Sequence, residues 1–277
     1  MRDALIPLDP KRKMDLTINT YGYDVDSVSY EVRSLDTQRK IADTKVSDWN
    51  KDGNTWTKSL QIENLVDEGQ EYLFILKLHC KSDDLYYYTR ITLPEETYAK
   101  KCLEFTDSFH NVSMSDQYEL LASYIEPADY TDKNDLGNVN INSSIDQIGW
   151  RGFAGKQVGD PLVSFTDIND TYASLVYAYQ MAEEADGATN YYNVEEYYKV
   201  RYTDQQIYLL DYQRSMEQII DTASVNVSGN ILSVGVTSDT TGYLSNETGT
   251  IVSFVQSGQL FEYNQNKQTF TKVYGFI

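Results

Sequence analysis

Apolar side chains recur at every second position through two consecutive runs near residue 200. In the first, the even positions are Tyr192, Val194, Glu196, Tyr198, Val200 and Tyr202, and the odd positions are Asn193, Glu195, Tyr197, Lys199 and Arg201. A period of two marks a strand with one buried face. After the polar break at 203–206 the even positions Tyr208, Leu210, Tyr212, Arg214 and Met216 repeat the pattern, which predicts a hairpin. A slip of one residue would turn one strand's apolar set outward, so even positions must oppose even positions. This register sets Val200 against Leu210, Tyr198 against Tyr212 and Glu196 against Arg214. A buried carboxylate is thus expected to meet a buried guanidinium, as a structural ion pair or as the polar floor of a ligand cup. Asp211 has the opposite parity and is not expected to act with Glu196 as a carboxylate pair.

The same reading divides the rest of the chain. Residues 1–13 are read as an N-terminal extension. From 14 to 93, strand-like runs at 14–21, 27–35, 55–62, 71–80 and 85–93 follow one another with polar turns and no helix between them, the pattern of an antiparallel Ig-like sandwich. In the run from Glu71 both parities are apolar (Tyr72, Phe74, Leu76 and Leu73, Ile75), which places that strand inside its sheet.

Beyond Pro94, Tyr98, Cys102, Phe105 and Phe109 recur at helical spacing, and Tyr118, Leu121, Ala122 and Ile125 do so again, with Ser115 as a candidate cap and Pro127 beyond the end. Strands are expected at 139–145, 162–169 and 171–182 before the hairpin. Residues 94–222 therefore read as an α+β domain of cystatin-like or NTF2-like type, a curved sheet wrapped round helices. From 223 to 277, short runs broken by Gly, Asn and Ser resemble one blade of a β-propeller, and the expectation is that this segment is truncated. The fold class is multi-domain and mainly β.

Charge and composition narrow the functions. A net charge of -19, from 42 acidic and 23 basic residues, opposes nucleic acid and anionic membrane surfaces. No stretch approaches the roughly 20 apolar residues of a membrane helix. The 24 tyrosines against 9 phenylalanines suit broad sheets whose aromatic bodies pack while hydroxyls find polar partners. Cys80 and Cys102 read as two idle thiols, and with only His79 and His110 present a histidine-rich metal site or a catalytic triad has little material. His110 falls at the end of the first expected helix, where an imidazolium suits the helix dipole. The acidic loop from Asp129 to Asn138 fails the EF-hand pattern, because the fifth position from Asp132 is Leu136 and the twelfth is Ser143. No nucleotide-binding, hydrolase, zincin or CxxC motif occurs. No cofactor, metal ligand or catalytic residue is assigned. The ligand-binding candidates are Glu196, Arg214, Tyr198, Tyr212 and Tyr202.

The succession MRDALIPL, INTYGYDVDSVSYEVRSLD, YYYTRI, VNINSSIDQIGW, YYNVEEYYKVRYT and YLSNETGTIVSFVQSGQLFEYN resembles a group of uncharacterised, envelope-anchored proteins of clostridial Gram-positive bacteria. The resemblance covers nearly the whole chain and carries over no catalytic residue. It implies an extracytoplasmic location, a membrane anchor upstream of Met1 and further propeller downstream of Ile277. The expected function is a non-catalytic binding or scaffolding protein that engages a protein, peptide or glycan at the cell surface. The alternatives are an enzyme or small-ligand binder using the pocket around Glu196, and a purely structural spacer.

Overall fold

The computed structural model describes residues 3–62, 66–81, 83–94, 98–125, 136–185, 187–203, 206–222, 225–228, 231–239 and 241–275. The backbone is mainly β, and the chain divides into two compact units. The first comprises Met1–Thr106, Ser164–Leu175 and Lys199–Tyr208; the second comprises Asp107–Val163, Val176–Tyr198 and Leu209–Ile277.

The first unit begins with β1 (Leu5–Pro7), β2 (Lys13–Asn19), β3 (Val25–Ser34), β4 (Lys40–Val46), β5 (Asn50–Asp52), β6 (Thr55–Gln61), β7 (Glu71–Cys80) and β8 (Asp84–Thr92). Strands β2, β6 and β5 form one small sheet, and β4, β3, β7, β8 and β1 lie in that order in another. Their shared core joins Met14, Ile18 and Leu60 from the small sheet to Val28, Val32 and Phe74 from the larger one. Strand β7 lies between β3 and β8, and five consecutive residues from Tyr72 to Leu76 are buried, which accounts for its two apolar parities.

Three strands escaped the sequence reading. The N-terminal residues, expected as an extension, contribute β1, which runs parallel to β8 with Leu5 opposite Arg90, and antiparallel to a later strand with Leu5 opposite Phe165. Leu5 and Leu8 are buried, but the run is too short to display a period. Strands β4 and β5 lie at the edges of their sheets; β4 buries only Ala42 and Val46, and every residue of β5 is exposed. Polar edges of this kind leave little hydrophobic pattern.

The chain continues through α1 (Tyr98–Ser113), a 3-10 helix (Tyr118–Tyr124), β9 (Asn138–Asn140), α2 (Ile145–Ile148), β10 (Lys156–Ile168), β11 (Ala173–Ala185), β12 (Ala188–Tyr202) and β13 (Ile207–Gln218). Helix α1 and strands β10 to β13 contribute residues to both units. The second expected helix is a short 3-10 turn because Leu121 alone is buried along it, too little packing to sustain an α-helix. Ser115 does not cap it; its hydroxyl accepts from the Gln117 N–H in a local turn. The strand expected at 139–145 stops at Asn140, since Ser144 and Gln147 form a reciprocal capping box that starts α2. The acidic loop weighed for calcium falls mostly outside the described residues, as does Pro127.

The second unit closes with β14 (Asn226–Ser228), β15 (Ile231–Ser233), β16 (Tyr243–Ser245), β17 (Ile251–Gln256), β18 (Gln259–Asn264) and β19 (Thr269–Gly275). The last four form an antiparallel meander in sequence order. Phe254, Phe261 and Phe270 stack on one of its faces, with Phe261 and Phe270 centroids 5.2 Å apart.

Phe74 is buried in β7 and stacks on Tyr30 at 5.3 Å. Phe74→Ala is expected to cost about 3–5 kcal/mol in urea unfolding. Tyr86→Ala, on the exposed part of β8, should stay within about 0.5 kcal/mol.

Candidate functional site

The hairpin is present as β12 and β13, and its even positions on β12 from Tyr192 to Val200 are buried. On β13 the buried set begins at Tyr212; Tyr208 and Leu210 are exposed, and Tyr208 instead takes the Arg201 guanidinium over its ring at 5.0 Å. Tyr202 lies in the first unit, where its ring meets Tyr98 edge-on at 6.4 Å. Glu196, Tyr198, Tyr212 and Arg214 all lie in the second unit and are buried together with His110.

The expected ion pair between Glu196 and Arg214 is replaced by two separate arrangements. The Glu196 carboxylate is wholly inaccessible. His110 donates to Oε2 at 2.7 Å and Tyr198 donates to the same oxygen at 2.8 Å. Tyr179 and Tyr212 donate to Oε1 at 3.1 and 3.3 Å. Four side-chain donors therefore converge on one carboxylate, which makes its burial affordable.

Arg214 turns elsewhere. Its Nη1 and Nη2 donate to the carbonyls of Ile148 and Gln147 at 2.9 and 2.7 Å, and the guanidinium lies 3.6 Å above the Trp150 ring. Those carbonyls belong to the end of α2, where helical C=O groups lack intrahelical partners and favour a cation. Trp150 follows in a left-handed conformation, φ 60°, a cost offset by its stacking on Arg214 and on Phe153 at 5.5 Å. The hairpin register could not reveal this, because the competing acceptors come from a segment more than sixty residues upstream.

The protonation of His110 follows from its partners. Nδ1 faces Glu196, and Nε2 faces the amide oxygen of Gln157 at 3.0 Å. The Gln157 amide is fixed in that orientation, since its Nε2 donates to the Gly159 carbonyl at 2.9 Å. Both imidazole nitrogens therefore meet acceptors, which only the doubly protonated ring satisfies. Burial alone would push the His110 pKa down, but the hydrogen bond and charge of Glu196, with Gln157 and Asp107, outweigh it and hold the group above its ordinary 6.5. For Glu196, burial pushes upward, and the His110 hydrogen bond and charge, with Arg214 and Tyr198, outweigh it to hold the carboxyl below 4.5. Burial, followed by the Glu196 charge, raises Tyr179, Tyr198 and Tyr212 well above the usual phenol range, so they remain donors.

Aromatic rings fill the surroundings. Tyr177 stacks on His110 at 5.4 Å and donates to Asp107 at 2.5 Å, while Phe109 packs against Tyr198 and Tyr212 at 5.6 and 5.2 Å. Sequence reasoning missed Tyr177, Tyr179 and Trp150, and it placed His110 at a helix end without pairing it with Glu196. Tyr177, Tyr179 and Met181 do share a parity on β11 and could have been read as a second tyrosine-lined face.

The other singled-out groups serve locally. His79 bonds Ser29 at 3.1 Å and Asp84 at 2.9 Å. Cys80 and Cys102 are free thiols, and burial pushes Cys102 up to about 12, which makes it inert. Among the described residues no cluster of three His, Cys, Asp or Glu could hold a metal, and no helix is long and apolar enough to cross a membrane. No protein-family model matches the chain, and no curated protein matches it.

A raised His110 pKa contributes stability that is complete below pH 6.5 and lost as pH rises through the folded-state value; a lowered Glu196 pKa contributes stability that is complete above pH 4.5 and lost as pH falls through the folded-state value. Urea midpoints of the intact chain should therefore show a plateau between these values and fall on the alkaline side. His110→Gln should remove the part of this fall that lies below about pH 9, before Cys102 and the buried tyrosines titrate; an unchanged limb between pH 6.5 and about 9 would refute the protonated assignment.

Proposed function

We propose that the chain is a non-catalytic, extracytoplasmic binding or scaffolding protein of a bacterial cell envelope, related to the clostridial envelope-anchored group it resembles. The carrying observation is the saturation of Glu196: four side-chain donors occupy a carboxylate that solvent does not reach, which favours a framework role over a ligand cup. The layered sheets of the first unit support an Ig-like module. The strand succession β10-β11-β12-β13-β9 within its sheet, together with helical residues, supports an NTF2-like or cystatin-like module, and the meander β16 to β19 supports a propeller blade. In this reading an anchor upstream holds the modules at the cell surface, where exposed tyrosines such as Tyr21, Tyr23 and Tyr87 meet a protein, peptide or glycan.

Two measurements test this. In a denaturant cycle on Glu196→Gln and His110→Gln, each single change should cost about 3–5 kcal/mol and the double change should recover part of that loss. A Glu196→Gln chain as stable as the original would instead mark the carboxylate as held against folding and return the enzyme alternative. A membrane-impermeant amine reagent should label the native protein on intact cells. Labelling only after lysis would sink the envelope assignment.

A further inference from the structure

The second unit carries a cleft remote in composition from the Glu196 cluster. It encloses about 550 Å³, within the roughly 300–1,000 Å³ typical of small-ligand sites. One side is the face of the β16–β18 sheet that bears Tyr243, Val252, Phe254 and Tyr263, placed together by cross-strand pairing of Tyr243 with Phe254 and Val252 with Tyr263. The other side is a segment bearing Thr237, Ser238, Asp239 and Thr241, and Gln265 also lines the cleft.

This segment is held from behind. The Glu217 carboxylate accepts from the hydroxyls of Ser238 at 2.6 Å and Thr241 at 3.2 Å, and from the Ser257 N–H at 2.6 Å. The Asp239 N–H donates to the Asn138 side chain at 2.8 Å. A wall anchored at three residues is prepared before any ligand arrives, which lowers the ordering cost of binding.

Three polar side chains of the lining stand apart from this anchoring. Among the described residues the side chains of Asp239, Thr237 and Gln265 make no hydrogen bond, whereas Glu217 behind them accepts three. Tyr263 is buried, and its hydroxyl has no partner among the described residues. A buried phenol left in that state is costly, and here the orphan belongs to the lining of a cleft. Tyr243 presents a ring that is 75% exposed.

The chemistry of the lining selects among ligands. Among the described residues no cation lines the cleft, so a phosphate or carboxylate ligand meets no counter-charge from them. The aromatic groups lie side by side on one sheet face, which makes a floor; a cage for an ammonium ion needs rings on several sides. Aromatic side chains on one sheet face, with carboxylate, amide and hydroxyl groups in the same lining, suit a ring whose faces are C–H and whose edges are hydroxyls. The C–H face, slightly positive, meets the negative face of Tyr243, while Asp239 and Gln265 bond the ring hydroxyls. We propose that this cleft binds a neutral saccharide, stacked on Tyr243 and hydrogen-bonded by Asp239 and Gln265. The assignment rests on the reading of the chain as a binding protein, and it names where and what it binds.

Titration calorimetry with cellotetraose and chitotetraose as neutral probes, and tetralysine as a cationic one, tests the assignment on the full chain. At least one saccharide should bind with a dissociation constant of about 1 mM or tighter, and Tyr243→Ala should weaken it about tenfold. Asp239→Asn should weaken it less, and Leu244→Ala, on the opposite face of the same strand, should leave it unchanged. Retained thermal unfolding of the Tyr243→Ala chain guards against misfolding as the cause. Binding of neither saccharide at about 10 mM, or binding indifferent to Tyr243 and Asp239, overturns the assignment. Tetralysine binding that depends on Asp239, without saccharide binding, overturns it in favour of a cation site. Surface labelling on intact cells with no saccharide binding leaves the broader binding role standing and removes this one alone.

Discussion

A charge that cannot reach water dictates the arrangement of the second unit. Glu196 sits on a strand whose parity drives it inward, and an unmatched carboxylate there would cost more than the fold can supply. The surrounding aromatic residues are therefore tyrosines where phenylalanines would pack equally well: Tyr179, Tyr198 and Tyr212 each bring a hydroxyl to the carboxylate as well as an apolar ring. His110 supplies the countercharge from a helix, and Phe109 beside it, with no polar role, only packs.

Placing the countercharge on a histidine has a geometric consequence for Arg214. Released from Glu196, the guanidinium is available for two backbone carbonyls at the end of α2, a helix of four residues that could not hold itself together in isolation. The same side chain supports the Trp150 ring. Within the second unit, two polar contacts thus tie His110 of α1 to the hairpin and the hairpin to the turn around α2, with each cation assigned a different acceptor. Glu217 does comparable work nearer the surface, where it holds Ser238 and Thr241.

Much of this was legible in the residues, and the limits have physical causes. Period two gave the hairpin, the buried parity and the burial of Glu196 and Arg214, because strand geometry is local. Partner choice is not local: both expected partners were buried, yet the carboxylate took His110 and the guanidinium took carbonyls, since backbone acceptors carry no signature in the sequence. The capping box at Ser144 and Gln147 was readable, but the apolar residues around it favoured a strand. Edge strands β4 and β5 and the brief β1 were silent for the opposite reason, since they bury too little to leave a pattern.

The spacing of the partners along the chain also governs when the core can close. His110 and Glu196 are separated by 86 residues, and Arg214 follows its two carbonyl acceptors by 66 and 67. Contacts of such long range form late and slowly, after the entropy of closing the intervening loops has been met. As the chain is synthesised, the residues of α1 are made well before the strand that carries the counterion, so the imidazole has no Glu196 to meet until the hairpin is made. The ion pair therefore acts as a terminal latch: its ions are desolvated only in the step that brings them together, so no earlier intermediate has to shelter a lone charge.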